Sequence, residues 1–383
     1  MKYRKRTLVI LGLLTIAVVG VFFLLGPTGA RTQKIGAVLF LTGNQAFLGQ
    51  EVKNGMELAR AELKANKHPI EVYYEDSRDT PRDAIAALTR LLSIKDVPLV
   101  VSTGDVVTLS LIPVTEREEV VLFATVASTS DLPKRSPFAF RYSTTTDSNA
   151  EVMVRFLSGH LKTKRVAALY LNNDFGTAWL AKAKSLLKEK NIELSSEQSF
   201  SMDAQNLRAQ IATILRASPE ALMISGFGPA YAVGIVQTRE QSPDLPIIAD
   251  ATFSVPFFQK QAGAAAEGVY FASTIFDAAN PANTEITKFL SLYHDAYGSV
   301  PSLTSALGYD TLMLIAEGLK RADVNEEDSR AKKAAAIQQA LLGIKDHNGL
   351  MGSLSIDENG NVTFPLFMKR MVGGKAVNAA KLN

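Results

Sequence analysis

Short apolar runs alternate along the chain with longer stretches whose apolar residues recur every three or four positions. The run at 34–41 predicts a buried strand, and Val52, Met56, Ala59 and Leu63 follow it on one face of a helix. The same order of strand and helix continues to about residue 124. Strands that alternate with helices predict a parallel sheet with helices on both faces.

The alternation starts again at residue 148, where Ser148 and Glu151 have the spacing of a capping box. Strands and helices then alternate to residue 249, which predicts a second doubly wound sheet and not a continuation of the first. Short extended pieces at 138–141 and 269–273 are the expected crossovers between the two sheets.

The last third of the chain is predicted to be mostly helical. The segment 303–319 is apolar on nearly all sides, which indicates a buried helix. Near the end, the pair Asn359-Gly360 separates two β-like runs at 352–356 and 362–369. This pair favours the tight turn of a β-hairpin, so we predict one there.

The first 33 residues have the charge order of an export signal. Four basic residues precede the uncharged stretch 7–25, and a Gly-Pro pair ends it. The basic residues would keep the N-terminus in the cytoplasm and place the rest of the chain outside. Because the apolar stretch is also long enough to span a bilayer, cleavage after Ala30 and retention as a membrane anchor both stay open.

Composition excludes several classes of protein. Five of the 41 basic residues and none of the 38 acidic residues lie in the first 33 positions, so the remainder is close to neutral. A nucleic-acid-binding domain needs a basic face, and we therefore predict no nucleic-acid partner. The chain has no cysteine, which excludes disulfides, a thiol nucleophile and the modified cysteine of a lipoprotein.

The residue patterns of common active sites are absent from the sequence. The four histidines lie far apart without the spacing of metal ligands, and neither a G-x-S-x-G elbow nor a Walker loop occurs. Gly226-Phe227-Gly228 has the position of a dinucleotide loop, but Tyr231 replaces its third glycine and would block a pyrophosphate. We predict no catalytic residue, no metal and no cofactor, with an enzyme kept as the alternative of a different class.

Several motifs resemble, in order and spacing, those of one protein family. They are Gly43 to Gly49 with Asn54-Gly55-Met56-Glu57-Leu58-Ala59, Glu75-Asp76-Ser77 with Pro81, Asn173-Asp174-Phe175-Gly176, 264–269, 305–310 and 352–360. On these motifs the chain resembles the type I periplasmic binding proteins, in the branched-chain amino-acid (Leu/Ile/Val) binding family of ABC transporters. The resemblance covers Ile35 to about Val372.

The resemblance implies an α/β architecture, the periplasmic binding protein-like I fold. Two doubly wound, Rossmann-like lobes would be joined by a three-segment hinge, with crossings near 138–145, 271–275 and 350–354. The implied division is a signal peptide or N-terminal membrane anchor at 1–33, lobe one at 34–144 plus 276–350, and lobe two at 145–275 plus 351–383.

The candidate site follows from the position of strand ends. Ligands of open parallel sheets bind beyond the carboxyl ends of the strands, where the resemblance implies that the lobes face each other. By resemblance, Ser128 falls where the family holds a ligand carboxylate, with a helix cap as the alternative role. Phe175 and Phe227 fall where the family covers its ligand with aromatic rings, with packing between the lobes as the alternative. The predicted ligand-binding residues are Asp105, Val126, Ser128, Thr129, Phe175, Phe227 and Asp250.

Two of these residues depart from the family pattern. Asp105 stands where a serine is usual, and next to Ser128 it would repel a ligand carboxylate. We therefore expect Asp105 either to pair with a basic group of the ligand or to cap the helix that starts near Val106. Asp250 lies near the acid that pairs with an α-ammonium group, although the register also allows Ala251 at that position.

The resemblance implies a monomeric, extracytoplasmic solute-binding protein, either secreted or anchored by its N-terminal helix. It would close around a small-molecule ligand, most simply a branched-chain or related amino acid, and deliver it to an ABC permease. An uncleaved leader would add a membrane contact. A small carboxylate, aromatic acid or amide is the alternative ligand, and a membrane-tethered sensing lobe for a signalling partner is the alternative role.

Overall fold

The computed structural model describes residues 32–43, 45–129 and 132–379. The predicted signal peptide or anchor at 1–33 lies outside the described residues, apart from its last two positions. Across these described ranges, none of the helices combines the length and the apolar character needed to cross a membrane.

Strands and helices alternate through the first part of the chain, as predicted. Thr80 caps its helix by accepting from the Asp83 backbone N–H at 3.2 Å, and Pro81 occupies the first turn. The elements are β1 (Gln33–Leu39), α1 (Ala46–Ala65), β2 (Ile70–Asp76), α2 (Pro81–Arg90), β3 (Leu99–Thr103), α3 (Asp105–Arg117), β4 (Val121–Thr125) and β5 (Ala139–Tyr142).

The second run of alternating elements opens at a capping box formed by Thr145 and Ser148, and not by the predicted pair Ser148 and Glu151. Thr145 and Ser148 satisfy each other's backbone N–H groups, so the helix begins earlier than the pattern at Ser148 indicated. The elements are α4 (Thr146–Phe156), β6 (Arg165–Leu171), α5 (Asp174–Glu189), β7 (Glu193–Phe200), α6 (Arg208–Arg216), β8 (Ala221–Ser225), α7 (Pro229–Gln241), β9 (Ile247–Ala249), α8 (Pro256–Ala262) and β10 (Tyr270–Ser273).

The last part of the chain contains three helices and a set of short strands. Its central helix is buried on most sides, which confirms the prediction for 303–319. The elements are α9 (Thr284–Tyr297), α10 (Leu303–Arg321), α11 (Arg330–Leu342), β11 (His347–Gly349), β12 (Gly352–Ile356), β13 (Val362–Thr363), β14 (Phe367–Val372) and β15 (Lys375–Asn378).

The strands form two main sheets, which confirms the predicted fold class. The first has the order β2-β1-β3-β4-β5 and is parallel throughout. The second has the order β15-β14-β10-β9-β8-β6-β7 and is parallel except at its β14 and β15 edge. Helices cover both faces of each sheet, as parallel sheets require because both faces are apolar.

Two extended pieces that we expected to be crossovers are strands of the sheets. Ala139–Tyr142 is the edge strand of the first sheet and pairs with β4. Tyr270–Ser273 pairs with β9 in the second sheet. Each piece has a neighbouring strand that satisfies its backbone groups, so it still belongs to a sheet. The chain therefore passes from one sheet to the other just after each of these strands.

The tail divides between the two sheets. The predicted hairpin is confirmed where Ile356 pairs with Val362, and Ile356 and Val362 belong to the apolar core of the first sheet. The strand predicted at 362–369 is wrong in its middle, because the pairing stops after Thr363 and Pro365 has no N–H for a ladder. Met371, on β14, packs in the core of the second sheet.

Helices α1 and α10 cross in direct backbone contact on the first sheet. A Cβ added at Gly308 would lie 2.3 Å from the carbonyl oxygen of Val52, and one at Gly55 would lie 1.9 Å from that of Ser305. Only glycine permits this approach, because a backbone carbonyl cannot move aside as a side chain can. The crossing holds the C-terminal helices against the first sheet.

We expect Gly308→Ala to lower the free energy of unfolding by about 2 kcal/mol, since it overpacks this crossing. Urea denaturation monitored by circular dichroism measures the change. Gly159→Ala is the matched control, because Gly159 lies in the π-helical turn Leu157–Leu161 that continues α4 and its added Cβ meets nothing within 4 Å. This control is expected to gain up to about 1 kcal/mol from helix propensity. Equal effects of the two substitutions would contradict the close crossing.

Candidate functional site

The seven predicted site residues lie just beyond the carboxyl ends of parallel strands. The first cluster, Asp105, Val126, Ser128 and Thr129, follows β3 and β4 of the first sheet. The second cluster, Phe175, Phe227 and Asp250, follows β6, β8 and β9 of the second sheet. In the described ranges, no hydrogen bond or ring contact joins one cluster to the other.

Asp105 occupies the centre of the first cluster. It is the first residue of α3, where the helix dipole favours an anion. Its Oδ2 accepts from the Ser128 hydroxyl at 2.9 Å, and its Oδ1 accepts from the Thr129 backbone N–H at 2.8 Å. All three residues are half-buried. Two donors that were predicted to face a ligand are therefore held by a carboxylate of the protein itself.

Val126 has a backbone conformation that β-branched residues rarely adopt. Its φ is +55°, in the left-handed region, at the point where β4 ends. Its N–H donates to the Tyr142 carbonyl oxygen at 3.3 Å, which keeps the strained residue next to β5. Strain of this kind persists where the surroundings determine the backbone, and it concentrates at functional loops.

Arg141 supports the first cluster and was not among the predicted residues. It is only 3% exposed, and its guanidinium donates to the Thr129 carbonyl oxygen and to Oδ1 of Asn361. Its backbone N–H donates to the Gly360 carbonyl oxygen at 2.9 Å. A charged residue inside an otherwise apolar strand was the signal in the sequence, because such a residue needs buried partners.

The two rings of the second cluster touch each other. Phe175 and Phe227 meet edge to face, with centroids 5.4 Å apart and an interplanar angle of 71°, and both are half-buried. Asn173 caps the helix that carries Phe175, accepting from the Gly176 N–H at 3.0 Å. At Gly176 a Cβ would lie 1.9 Å from the Leu171 carbonyl oxygen, so glycine allows the helix to start against the strand end.

Asp250 is enclosed by the protein and accepts four hydrogen bonds. It is fully buried, and this burial raises the pKa of its carboxyl group. The neighbouring Ala251 is half-buried, and its N–H donates to Oδ1 of Asn149 at 2.9 Å. The donors to Asp250 are the hydroxyls of Ser225 (2.6 Å) and Tyr231 (2.9 Å) and the backbone N–H groups of Gly226 (3.0 Å) and Thr252 (3.1 Å).

A family model described as "Periplasmic binding protein" matches residues 32–375 of the chain. The chain belongs to the periplasmic binding protein family. This membership confirms the resemblance drawn from the motifs, and it implies an extracytoplasmic location and a small-molecule ligand supplied to an ABC transporter. The family consists of solute-binding proteins and not of enzymes.

Individual relatives are distant but nearly complete in length. The chain is 22% identical over 343 residues to "Leu/Ile/Val-binding protein homolog 3" of Brucella melitensis, covering 87% of this chain and 89% of the relative. It superimposes on the LivJ substrate-binding protein of Streptococcus pneumoniae, solved with isoleucine, with a TM-score of 0.73, 23% identity and 90% and 98% of the two chains covered. It also superimposes on a solute-binding protein of Rhodopseudomonas palustris that was solved with benzoate. The TM-score is 0.70 at 17% identity, and the match covers 91% of this chain and 96% of the other.

This periplasmic binding protein also exposes large apolar side chains at the same strand ends. Phe47 and Val106 are 66% and 64% exposed, and they begin the helices that follow β1 and β3. Met202 and Phe257 are 45% and 58% exposed beyond β7 and β9. Exposed apolar groups that lie together often mark a binding surface, whereas single scattered ones do not. The signal in the sequence was an apolar residue in the first turn of a helix for Phe47, Val106 and Phe257, and in the loop after β7 for Met202.

Within the part of the chain that the structure describes, no three acidic or histidine side chains are grouped as metal ligands would be. The chemistry available at the two clusters is hydrogen bonding, the carboxylates of Asp105 and Asp250, and aromatic contact. Such groups can bind and orient a solute.

Proposed function

We propose that the protein captures a small organic solute between two lobes, closes around it by a hinge movement and delivers it to an ABC permease. The observation that carries the proposal is the difference between the two clusters. One presents a charged and polar group at Asp105, and the other presents the paired rings of Phe175 and Phe227. Pockets for small ligands combine apolar walls with a few placed polar groups in this way.

The proposed lobes follow the apolar cores. Lobe one comprises 34–144 and 276–363, and lobe two comprises 145–275 and the chain from 364 onward. The last boundary is moved from the expected residue 350 because Leu354, Ile356 and Val362 pack in the core of the first sheet. Closure would then bend the three short connections at 143–145, 274–276 and 364–366.

We propose a branched-chain or related amino acid as the ligand. Its apolar side chain suits the rings of the second cluster, and its ammonium group suits the Asp105 carboxylate, because a charge-assisted hydrogen bond to an ion is strong. The relative solved with isoleucine supports this choice. Asp250 would act as a support, since its four internal donors hold the loop that carries Phe227.

An aromatic acid is the second candidate, favoured by the edge-to-face pair Phe175 and Phe227 and by the relative solved with benzoate. Such a ligand lacks a cation for Asp105. Its carboxylate would compete with that of Asp105 for the Ser128 hydroxyl and the Thr129 N–H, and the two like charges would repel each other.

Mass spectrometry of the ligand that remains bound through native purification identifies the solute. A thermal-shift screen of amino acids and aromatic acids then tests which class of ligand binds. We expect a saturable increase in melting temperature with an amino acid, because ligand binds only the folded cleft. A response to aromatic acids alone would favour the second candidate. Turnover in hydrolase or dehydrogenase assays would contradict a solute-binding role.

We further propose that the leader exports the chain, that the protein acts as a monomer and that its partner is a permease. Determination of the mature N-terminus by mass spectrometry distinguishes the two fates of the leader. A start near Arg31 indicates a free periplasmic protein, and an intact N-terminus in the membrane fraction indicates an anchor.

The aromatic pair gives a prediction for binding. Phe175→Ala and Phe227→Ala should each weaken binding of the identified ligand about 10-fold, on the order of 1–2 kcal/mol of apolar contact, with little change in ligand-free stability. Isothermal titration calorimetry measures the affinity. Phe367→Ala, which removes an exposed ring on β14, is the matched control. A loss of ligand-free stability as large as the loss of binding would place the rings in the core instead.

A further inference from the structure

A cavity of about 820 Å³ lies on the second sheet at the edge opposite the candidate site. It is bordered by the end of α7 and by the residues at which β9 and β10 begin, and therefore by the amino ends of these strands. Two arginines line it, Arg239 from α7 and Arg370 from β14. We propose that this cavity is a second binding site, which takes a small oxyanion, carboxylate or phosphate, between Arg239 and Arg370.

Both guanidinium groups reach the same point in the cavity. A Cβ placed on Gly268 would lie 3.6 Å from Nη2 of Arg370 and 3.7 Å from Nη2 of Arg239. No side chain fills that point, because Gly268 has none and its φ of +73° favours glycine. Two guanidinium forks around one open position match the several oxygen atoms of an oxyanion.

Each arginine is held in place by the surrounding protein. Arg239 donates from Nη1 to the carbonyl oxygens of Pro243 at 2.9 Å and Leu245 at 2.7 Å, and from Nη2 to that of Glu267 at 3.4 Å. Arg370 lies over the ring of Tyr270, its neighbour across the strand pair, with its Cζ 5.1 Å from the ring centroid. The ring of Tyr270 in turn packs against that of Phe156, with centroids 4.9 Å apart. The pair is therefore preorganised, which lowers the cost of binding.

Neither Arg239 nor Arg370 forms an ion pair in the described ranges, and the buried Nε of Arg370 has no hydrogen-bond partner there. Burial, and next the charge of Arg370, lower the pKa of Arg239. An oxyanion between the two Nη2 groups would accept from both guanidinium groups and offset the repulsion between them.

Acidic residues at the rim do not fill this role. Glu240 pairs with Arg208 at 2.6 Å, and Oε1 of Glu267 accepts from the Gly373 N–H at 3.1 Å. Asp244 interacts with Arg239 only through space and lies outside ion-pair distance. These acids would repel a ligand that carries several negative charges along its length. The site is therefore suited to a compact anionic group.

Calorimetric titration of the folded protein with inorganic phosphate and, separately, with succinate tests the proposal at constant ionic strength. We expect saturable binding of at least one probe and a loss of about 10-fold or more in Arg370→Gln, because a charged hydrogen-bond donor is removed. Arg216→Gln, at an exposed arginine of the same sheet's helices, should bind as the wild type does. Arg239→Gln is a secondary variant, since Arg239 also holds a loop.

The outcomes separate this site from the cleft. Binding that survives Asp105→Asn but is lost in a folded Arg370→Gln protein supports the second site. No saturable heat with either probe, equal binding by Arg370→Gln and the wild type, or loss of probe binding in Asp105→Asn would each overturn it.

Discussion

Asp105→Asn is expected to weaken the binding of an amino-acid ligand by about 10-fold to 100-fold. The variant keeps an oxygen that can accept from Ser128 or Thr129, but it removes the charge that an ammonium group would meet. Hydrogen bonds to charged groups contribute about 1.5–3 kcal/mol, which corresponds to this range of affinity. Calorimetry with the identified ligand, and thermal unfolding without it, separate binding from stability.

The same substitution gives the opposite result for a different ligand class. If the ligand presents a carboxylate to Ser128 and Thr129, removal of the Asp105 charge ends the repulsion, and affinity should rise. The alternative that Asp105 caps the helix is wrong, because α3 begins at Asp105 with Gly104 as its cap residue and without a side-chain cap. If Asp105 only holds the loop through Ser128 and Thr129, binding should stay unchanged while stability falls by about 1 kcal/mol. Glu285→Gln is the matched control, because it removes an acid from the first turn of α9, away from both clusters. Unchanged binding in Asp105→Asn would remove Asp105 from the site.

A second large effect is expected at Asp310, where stability should fall as the pH rises from 4 to 7. Asp310 is 1% exposed on α10, and burial raises the pKa of its carboxyl group from 3.8 to about 6. Its carboxylate accepts from the Leu350 N–H at 2.9 Å, the Met351 N–H at 3.2 Å and the Tyr142 hydroxyl at 2.8 Å.

The sign follows from proton binding in the two states. Below pH 3.8 the carboxyl group is protonated whether the chain is folded or unfolded. Between pH 3.8 and about 6 the unfolded chain has released the proton while the folded chain still holds it, so the free energy of unfolding decreases with rising pH. The whole shift corresponds to about 3 kcal/mol, which is lost once the pH exceeds the folded pKa.

Urea unfolding of the wild type and of Asp310→Asn at pH 4, 5, 6 and 7 measures this contribution as a difference. We expect the wild type to lose about 2.4 kcal/mol relative to the variant across this range, since part of the whole shift is already lost at pH 4. Groups such as Glu57 and Glu317, whose pKa values are lowered, give the opposite slope in both proteins and cancel. A difference that does not change with pH would show that folding does not raise the pKa of Asp310.

Tyr142→Phe extends the test, because the Tyr142 hydroxyl is one of the donors that favour the ionised carboxylate. Its removal should raise the pKa of Asp310, so the loss of stability should continue to higher pH.

The hydrogen bonds of Asp310 also connect elements of the fold. They join the end of β5, the buried helix α10 and the segment before β12, which are close to two of the passages between the sheets.

Much of the fold follows from periodicity in the sequence. Alternating strands and helices predict two parallel sheets, because an apolar run and an amphipathic stretch bury their faces only in that arrangement. The tail was harder to predict. Residues 362–369 resemble one strand, yet Phe367–Val372 pairs with β10, more than ninety residues earlier in the chain. A local pattern contains no information about which distant strand offers a free edge.

The sequence alone determined the two sheets and the positions of the candidate loops, since the carboxyl ends of parallel strands share one edge. Only the tertiary structure decided what each side chain meets there. Asp105 and Asp250 are both acids after a strand, yet one is half-buried between Ser128 and Thr129 while the other is enclosed by four donors. Arg141 binds Asn361, 220 positions away. Element type depends on neighbours in the chain, but burial and hydrogen-bond partners depend on which distant elements pack together.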